Sequence, residues 1–187
     1  MMQDAATELV DVIDDAGKTV AVVTRAEMRA QRLPHRCAYI LVFNAHGKLF
    51  IHLRTPTKDV FPSHWDVTIG GVLAAGESFD DGARREAREE IGVEVHAEPL
   101  FPFRYQDSCT IVHGKVYRVD HDGPFQLQPE EIVRGEFVAL DGVSEQATRQ
   151  PFCPDGIAVL REYRRRTLEC GDLSPLSLSD VPTNPKR

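Results

Sequence analysis

The segment Gly71–Val93 reads GVLAAGESFDDGARREAREEIGV, and it contains the clearest helical pattern of the chain. Ser78 can cap the helix N-terminus, and Asp81 three residues later completes a capping-box pattern. Gly92 stands where helices commonly end in a left-handed residue. Apolar or small residues recur four apart and give the helix one packing face: Phe79, Ala83, Ala87 and Ile91. The segment therefore predicts a helix over Phe79–Ile91.

Three carboxylates lie on one side of this predicted helix. Glu86, Glu89 and Glu90 occupy positions i, i+3 and i+4, where like charges repel and bring no stability. Oxygen ligands grouped in this way suit Mg²⁺ or Mn²⁺. Glu77 adds a fourth carboxylate just before the helix, and Arg85 can pair with it. Three acids taken alone would also fit a solvated helix face.

The wider spacing decides between these readings. The segment resembles the Nudix box, G-x5-E-x7-R-E-U-x-E-E-x-G-U, in which U is apolar. A chance match is on the order of 10⁻⁷ or less at average residue frequencies. Ala87 and Val93 fill the apolar slots, and seven fixed positions match without a gap: Gly71, Glu77, Arg85, Glu86, Glu89, Glu90 and Gly92.

The resemblance implies an enzyme of the Nudix type, which hydrolyses the phosphoanhydride of a small nucleoside-diphosphate-like substrate. By this resemblance Glu86, Glu89 and Glu90 bind Mg²⁺ or Mn²⁺, and the Gly71 carbonyl joins them. Glu77 acts through water or through Arg85. The cation polarises the diphosphate and lowers the pKa of the attacking water. Glu86, Glu89 and Arg85 are therefore predicted to be catalytic as well.

The general base varies among Nudix hydrolases and can lie on a box glutamate or on a downstream loop. The downstream candidates are Glu130, Glu131 and Glu136. Glu131 follows Pro129 at the start of a predicted strand, and we predict a catalytic role for it. An ordinary surface position is the alternative.

The resemblance also predicts the fold, a Nudix α/β/α sandwich with a mixed, curled sheet and an N-terminal β-hairpin. Alternating or β-rich runs predict strands over 8–13, 19–23, 37–44, 49–54, 65–73, 98–105, 109–119 and 132–139. Helical segments are predicted over 25–31 and 156–168. We expect one domain over 1–168, with the box at 71–93, and a disordered tail over 169–187, which is rich in Ser, Pro and Asp.

Several features outside the box match one further pattern: the N-terminal hairpin, Arg29 and His35 before a strand, Phe43-Asn44-x-x-Gly47-Lys48-Leu49, Arg54-x3-Lys58, and Pro62 before Trp65. By these features the chain resembles the isopentenyl-diphosphate-isomerase-like branch of the superfamily. Arg54 and Lys58 follow the strand ahead of the box, and we predict that they bind substrate phosphates. Solvated charges are the alternative. His35 is predicted to be a relic metal ligand or a contact to a substrate phosphate, against the alternative of a hydrogen-bonded structural histidine.

Two other functions stand beside the hydrolase. An isomerase of that branch needs a cysteine and a histidine at positions that fall here on Gly70 and Val72, which disfavours isomerase activity. A non-catalytic module that binds a diphosphate ligand is the other alternative, and the undamaged box argues against it.

The composition of the chain excludes some classes of binding partner. The net charge is −7, which argues against a nucleic-acid polymer or an anionic membrane as partner. No zinc-type cysteine spacing, signal peptide or bilayer-length apolar run is present, so we expect a cytoplasmic protein with reduced thiols. Dimerisation is common in the resembling family, and a homodimer stays open.

Overall fold

The structure is a computed structural model, and it describes residues 5–94 and 96–169. A short 3-10 turn at Ala5–Thr7 precedes the first strand. The helices are α1 (Arg25–Ala30), α2 (Phe79–Ile91), α3 (Leu140–Ala147) and α4 (Pro154–Glu169). The strands are β1 (Leu9–Ile13), β2 (Thr19–Thr24), β3 (His35–Phe43), β4 (Leu49–Arg54), β5 (Trp65–Asp66), β6 (Glu98–Gln106), β7 (Ile111–Asp120) and β8 (Ile132–Val138).

The main sheet is mixed, as predicted. Its strands run in the order β5-β4-β3-β7-β6, and β8 also pairs with β4. The β3–β7 pair is parallel, whereas the other pairs are antiparallel. Strands β1 and β2 form a separate antiparallel hairpin, which confirms the predicted N-terminal hairpin.

The sheet opens between its two central strands. Within the described residues, β3 pairs with β4 through Phe43 and Leu49 alone. The segment after β5 enters the opening and pairs with β3 at two isolated bridges, Ile40 with Ile69 and Cys37 with Val72. Gly70 and Gly71 therefore lie beside β3, between these two bridges.

The two faces of β3 belong to two different cores. Ala38, Ile40 and Val42 pack with the apolar face of α2, whereas Leu41 and Phe43 pack with residues of α3 and α4. This alternation follows from the two-residue period of a strand. Helices thus cover both faces, and the predicted α/β/α sandwich is confirmed.

Two elements of the chain differ from the sequence-based predictions. Helix α3 was not predicted, because Gly142 weakens its pattern and Ala139 provides no side-chain cap; burial of Leu140 and Val143 stabilises it instead. The strand predicted over 65–73 is regular only at Trp65–Asp66, since Gly70 has a φ of +140°.

The C-terminal boundary also differs slightly. Helix α4 continues through Glu169, the first residue of the predicted tail, and Arg165 pairs with Glu169 one turn away. The rest of that prediction, 170–187, lies outside the described residues. Across residues 5–94 and 96–169, no helix combines the length and the apolar character needed to cross a membrane.

Candidate active site

Arg85 connects three of the box carboxylates. Its Nε and Nη2 donate to the two carboxylate oxygens of Glu77 at 2.8 and 2.9 Å, a bidentate pair. Its Nη1 donates to Glu86 at 2.9 Å and to Glu89 at 3.1 Å. Partial burial opposes ionisation of Glu77, but hydrogen bonds from Arg85 and from the Ala74 amide hold the pKa of Glu77 below its ordinary value. Arg85 therefore orients the acidic face of α2.

Two glycines let the α2 carboxylates approach the backbone beside β3. A Cβ on Gly71 would lie 2.7 Å from Oε1 of Glu86. The Gly70 amide faces Oε2 of Glu90 at 3.4 Å, and a Cβ on Gly70 would lie 2.1 Å from the Ala38 carbonyl oxygen. A side chain at position 71 would close the approach that Glu86 uses, whereas one at position 70 would clash with strand β3.

Glu86 and Glu90 are both buried and face the same pocket. Burial, together with the charge of Glu86, raises the pKa of Glu90 to about 8. Burial also raises the pKa of Glu86, although the charge of Arg85 opposes that shift. The charges of Lys58 and Arg54 oppose the shift at Glu90 without cancelling it, so a bound cation would offset the remaining charge of this pair.

The residues around this pair fit a divalent cation. Glu86 and Glu90 offer buried carboxylate oxygens, and the Gly71 carbonyl accepts one hydrogen bond, from the Ala38 amide at 3.0 Å, which leaves a second lone pair. Glu89 is instead turned toward Arg85, with 45% of its side chain exposed. Within residues 5–94 and 96–169, no three acidic, His or Cys side chains already converge on one point. Mg²⁺ tolerates such an open set, since it keeps several water or phosphate ligands.

Cationic side chains line the same pocket as the carboxylates, and we call them the basic wall. Arg54 and Lys58, both predicted, reach the pocket from the end of β4 and the following loop. Arg54 donates to the Val60 carbonyl at 3.1 Å and lies 3.7 Å from Asp66. Two further cations, Arg25 and Arg29 of α1, also line the pocket. The sequence reasoning did not assign these two residues to the site, although their four-residue spacing places them on one helix face.

Of the three downstream acids, Glu131 lines the pocket, and it forms an ion pair with Lys58. Glu130 is exposed and contributes its carbonyl to Thr55, whereas Glu136 is an exposed residue of β8. The fold thus brings two predicted site residues, from segments 73 positions apart, into direct contact.

Polar groups from β3 and α4 also line the pocket. We call the part lined by His35 and Asp155 its inner end. His35 is 1% exposed, and burial lowers its pKa to about 4. Asp155 accepts a hydrogen bond from the Tyr39 hydroxyl at 3.2 Å, and burial, reinforced by the charge of Asp66, raises the pKa of Asp155 to about 6. Asp155, Tyr39 and Asp66 were not predicted. The signal that could have marked Asp155 was a Pro-Asp pair opening an amphipathic helix.

Comparisons with known proteins identify relatives that cover most of this chain. The family model described as NUDIX domain matches residues 33–157. An uncharacterized Nudix hydrolase of Yersinia pestis is 36% identical over 166 residues, covering 88% of this chain and 90% of the relative. The uncharacterized Nudix hydrolase YfcD of Escherichia coli K12 is 36% identical over 163 residues, covering 87% and 89%.

Solved structures show the same fold. The crystal structure of DR0079 from Deinococcus radiodurans has a TM-score of 0.74 and 27% identity, covering 83% of this chain and 98% of that one. The NUDIX domain of Shewanella oneidensis NrtR, solved with ADP-ribose, has a TM-score of 0.58 and 18% identity, covering 77% and 99%. With an intact box, the matched domain and these relatives, the chain belongs to the Nudix hydrolase family, whose reaction is the hydrolysis of a pyrophosphate linkage.

Proposed function

We propose that this protein hydrolyses the phosphoanhydride of a small nucleoside-diphosphate-like molecule with the help of Mg²⁺ or Mn²⁺. The observation that carries the proposal is the juxtaposition of two buried carboxylates, Glu86 and Glu90, with a wall of four cations in one pocket. Carboxylates that hold a metal cation, together with cationic side chains in the same pocket, suit the binding of a diphosphate.

We assign the cation to Glu86, Glu89, Glu90 and the Gly71 carbonyl. Bound there, it would polarise the phosphoanhydride and lower the pKa of the attacking water. Arg85 fixes the relative positions of the Glu77, Glu86 and Glu89 carboxylates through hydrogen bonds. Glu77, with both oxygens on Arg85, supports the set rather than joining it directly.

Glu131 is the proposed general base. Its partner Lys58 is the only cation within hydrogen-bonding reach of that carboxylate among the described residues. A substrate phosphate that attracts Lys58 would free an oxygen of Glu131 to accept a proton from water. Until such an anion enters, the ion pair with Lys58 would keep the Glu131 carboxylate from acting as a base.

The similarity outside the box supports placing the chain in the isopentenyl-diphosphate-isomerase-like branch, as a hydrolase. Arg54 and Lys58 stand at corresponding positions of that pattern, and both line the pocket. Gly70 occupies the place of the cysteine that an isomerase needs, so we assign no isomerase activity.

Hydrolysis should depend on a divalent cation. Purified protein is expected to release phosphate or nucleoside monophosphate from members of a broad diphosphate panel in Mg²⁺ or Mn²⁺, and EDTA should abolish the release. Isopentenyl diphosphate, assayed for isomerisation, is the control for the alternative reaction. Binding without turnover across the panel would contradict the proposal and favour a non-catalytic module.

The basic wall should act mainly on substrate binding. Arg54→Met and Lys58→Met are each expected to raise KM about 10- to 100-fold, because a charge-assisted hydrogen bond to phosphate contributes roughly 1.5–3 kcal/mol. Arg134→Met is the matched control, since Arg134 is exposed and stacks on Trp65 outside the pocket. Steady-state kinetics test this, and equal KM values for all three variants would refute the assignment.

A further inference from the structure

We propose that the inner end of the pocket binds a hydrogen-bond donor, a hydroxyl or an N–H, on the group attached to the diphosphate. His35 Nε2 and Asp155 Oδ1 are the acceptors. The inference rests on the proposed function for the position of the diphosphate itself, and it adds the side chains that would recognise the attached group and would reject a diphosphate whose attached group lacks a donor.

The tautomer of His35 follows from its hydrogen bond. Nδ1 lies 2.9 Å from the Leu33 carbonyl oxygen, which can only accept, so Nδ1 carries the proton. In the neutral ring Nε2 then has a lone pair and no proton. Burial keeps the ring neutral at physiological pH, since it lowers the pKa to about 4. Nε2 is buried and has no hydrogen-bond partner among the described residues.

A neutral acceptor of this kind does not suit a phosphate. Phosphate oxygens also accept hydrogen bonds, so they would repel the lone pair of Nε2. The phosphate contact predicted for His35 is therefore disfavoured, and a hydrogen-bond donor suits Nε2 better. A buried acceptor left unpaired costs free energy, and a ligand that supplies the missing hydrogen bond recovers it.

Asp155 presents a second unpaired acceptor. Its Oδ2 accepts from the Tyr39 hydroxyl, whereas its Oδ1 is buried and has no hydrogen-bond partner within residues 5–94 and 96–169. Helix α4 can bring Asp155 this close because residue 156 is glycine; a Cβ there would lie 2.4 Å from Oδ1 of Asp66. Asp66 cannot supply the missing hydrogen bond, because its carboxylate is itself an acceptor, with Oδ1 accepting from the Val67 and Thr68 amides.

The two acceptors belong to one pocket. His35, Cys37 and Tyr39 alternate along β3, so their side chains share one face, and Tyr39 reaches Asp155. His35 and Asp155 line the pocket that also contains Arg54 and Glu90. An apolar chain placed there would leave both acceptors unpaired, and sites built around polar groups reject such analogues strongly.

Binding measured in Ca²⁺ tests the inference independently of turnover. The probes are ADP-ribose and UDP-glucose, which carry donors, and isopentenyl diphosphate, whose organic group has none. Wild-type protein should bind at least one donor-bearing probe about 10-fold or more tightly than isopentenyl diphosphate, and His35→Leu should remove about 10- to 100-fold of that affinity. Affinity for isopentenyl diphosphate should stay within about twofold.

The matched control is His52→Leu. His52 is also a buried histidine, 2% exposed, with an unpaired ring nitrogen and a pKa lowered by burial to about 4, but it does not line the pocket. It should leave all affinities unchanged. Should His35→Leu fail to fold, O-methylation of the sugar hydroxyls and N,N-dimethylation of the base amine, tested on wild-type protein, identify which donor is bound.

The outcomes separate the two proposals. Loss of affinity for donor-bearing probes alone supports the inference, whether or not the probes are cleaved. Equal binding of isopentenyl diphosphate, equal losses on every probe in His35→Leu, or no effect of either methylation would overturn it. Absence of hydrolysis with donor-selective binding intact would instead count against the proposed function.

Discussion

Glu90→Gln is expected to lower hydrolysis by about 10³-fold or more while raising the melting temperature of the metal-free protein. The activity loss follows because removing a carboxylate ligand of the cation sacrifices several kcal/mol of transition-state stabilisation. The gain in stability follows because Glu90 is 5% exposed and shares its pocket with the buried carboxylate of Glu86. Glutamine keeps the volume and is neutral without a proton, so it removes the free-energy cost of neutralising a buried carboxylate on folding, which is worth a few degrees.

The sign of the pH dependence can be stated from the same group. In the folded protein the pKa of Glu90 is about 8, against an ordinary value of 4.5. Between these values the native state holds a proton that the unfolded chain has released, so stability falls as pH rises from about 4.5 to 8. Glu90→Gln should flatten this part of the profile. Thermal melts at several pH values in EDTA measure it.

Glu89→Gln is the matched control, because it also removes a predicted ligand but comes from a half-exposed position. It should lose activity to a similar extent without a rise in melting temperature. Wild-type activity in either variant would refute the assignment of these carboxylates to the cation. A rise in melting temperature for both would show that the effect does not come from burial.

Gly70→Ala is expected to destabilise the fold by about 2–6 kcal/mol, from strain at a disallowed backbone angle together with overpacking. The residue has a φ of +140°, and a Cβ would lie 2.1 Å from the carbonyl oxygen of Ala38, a backbone atom of strand β3, which pairs with β7 on one side and with the segment after β5 on the other. Chemical denaturation of the purified variant measures the loss.

Gly76→Ala separates these two contributions. Gly76 also has a positive φ, +74°, but nothing lies within 4 Å of an added Cβ. We expect a cost of only about 1–2 kcal/mol there, from the backbone angle alone. Equal costs at both positions would show that the close contact with Ala38 is unimportant.

The Gly70 geometry also bears on isomerase chemistry. A cysteine at position 70 would carry the same Cβ, so Gly70→Cys would meet the same clash before its thiol could act. The sequence disfavoured an isomerase because the cysteine is missing. The structure adds that this backbone has no room for one.

The sequence by itself determined the reaction family, the position of helix α2 and the acidic face that it carries. These are local properties, because caps, period and spacing within 71–93 are set by residues near one another along the chain. The mixed sandwich also followed from the sequence, through its resemblance to a known fold. Helix α3 did not, since its stability comes from burying Leu140 and Val143 against distant residues.

Only the tertiary structure decided how the acidic residues divide their roles and what surrounds them. Glu89 and Glu90 are neighbours in the chain, yet one is half-exposed on Arg85 and the other is buried beside Glu86. Likewise, Arg25, Lys58, Glu131 and Asp155 meet in one pocket although they come from four separate segments. Burial and long-range contact depend on how the sheet opens between β3 and β4, and no local pattern encodes that opening.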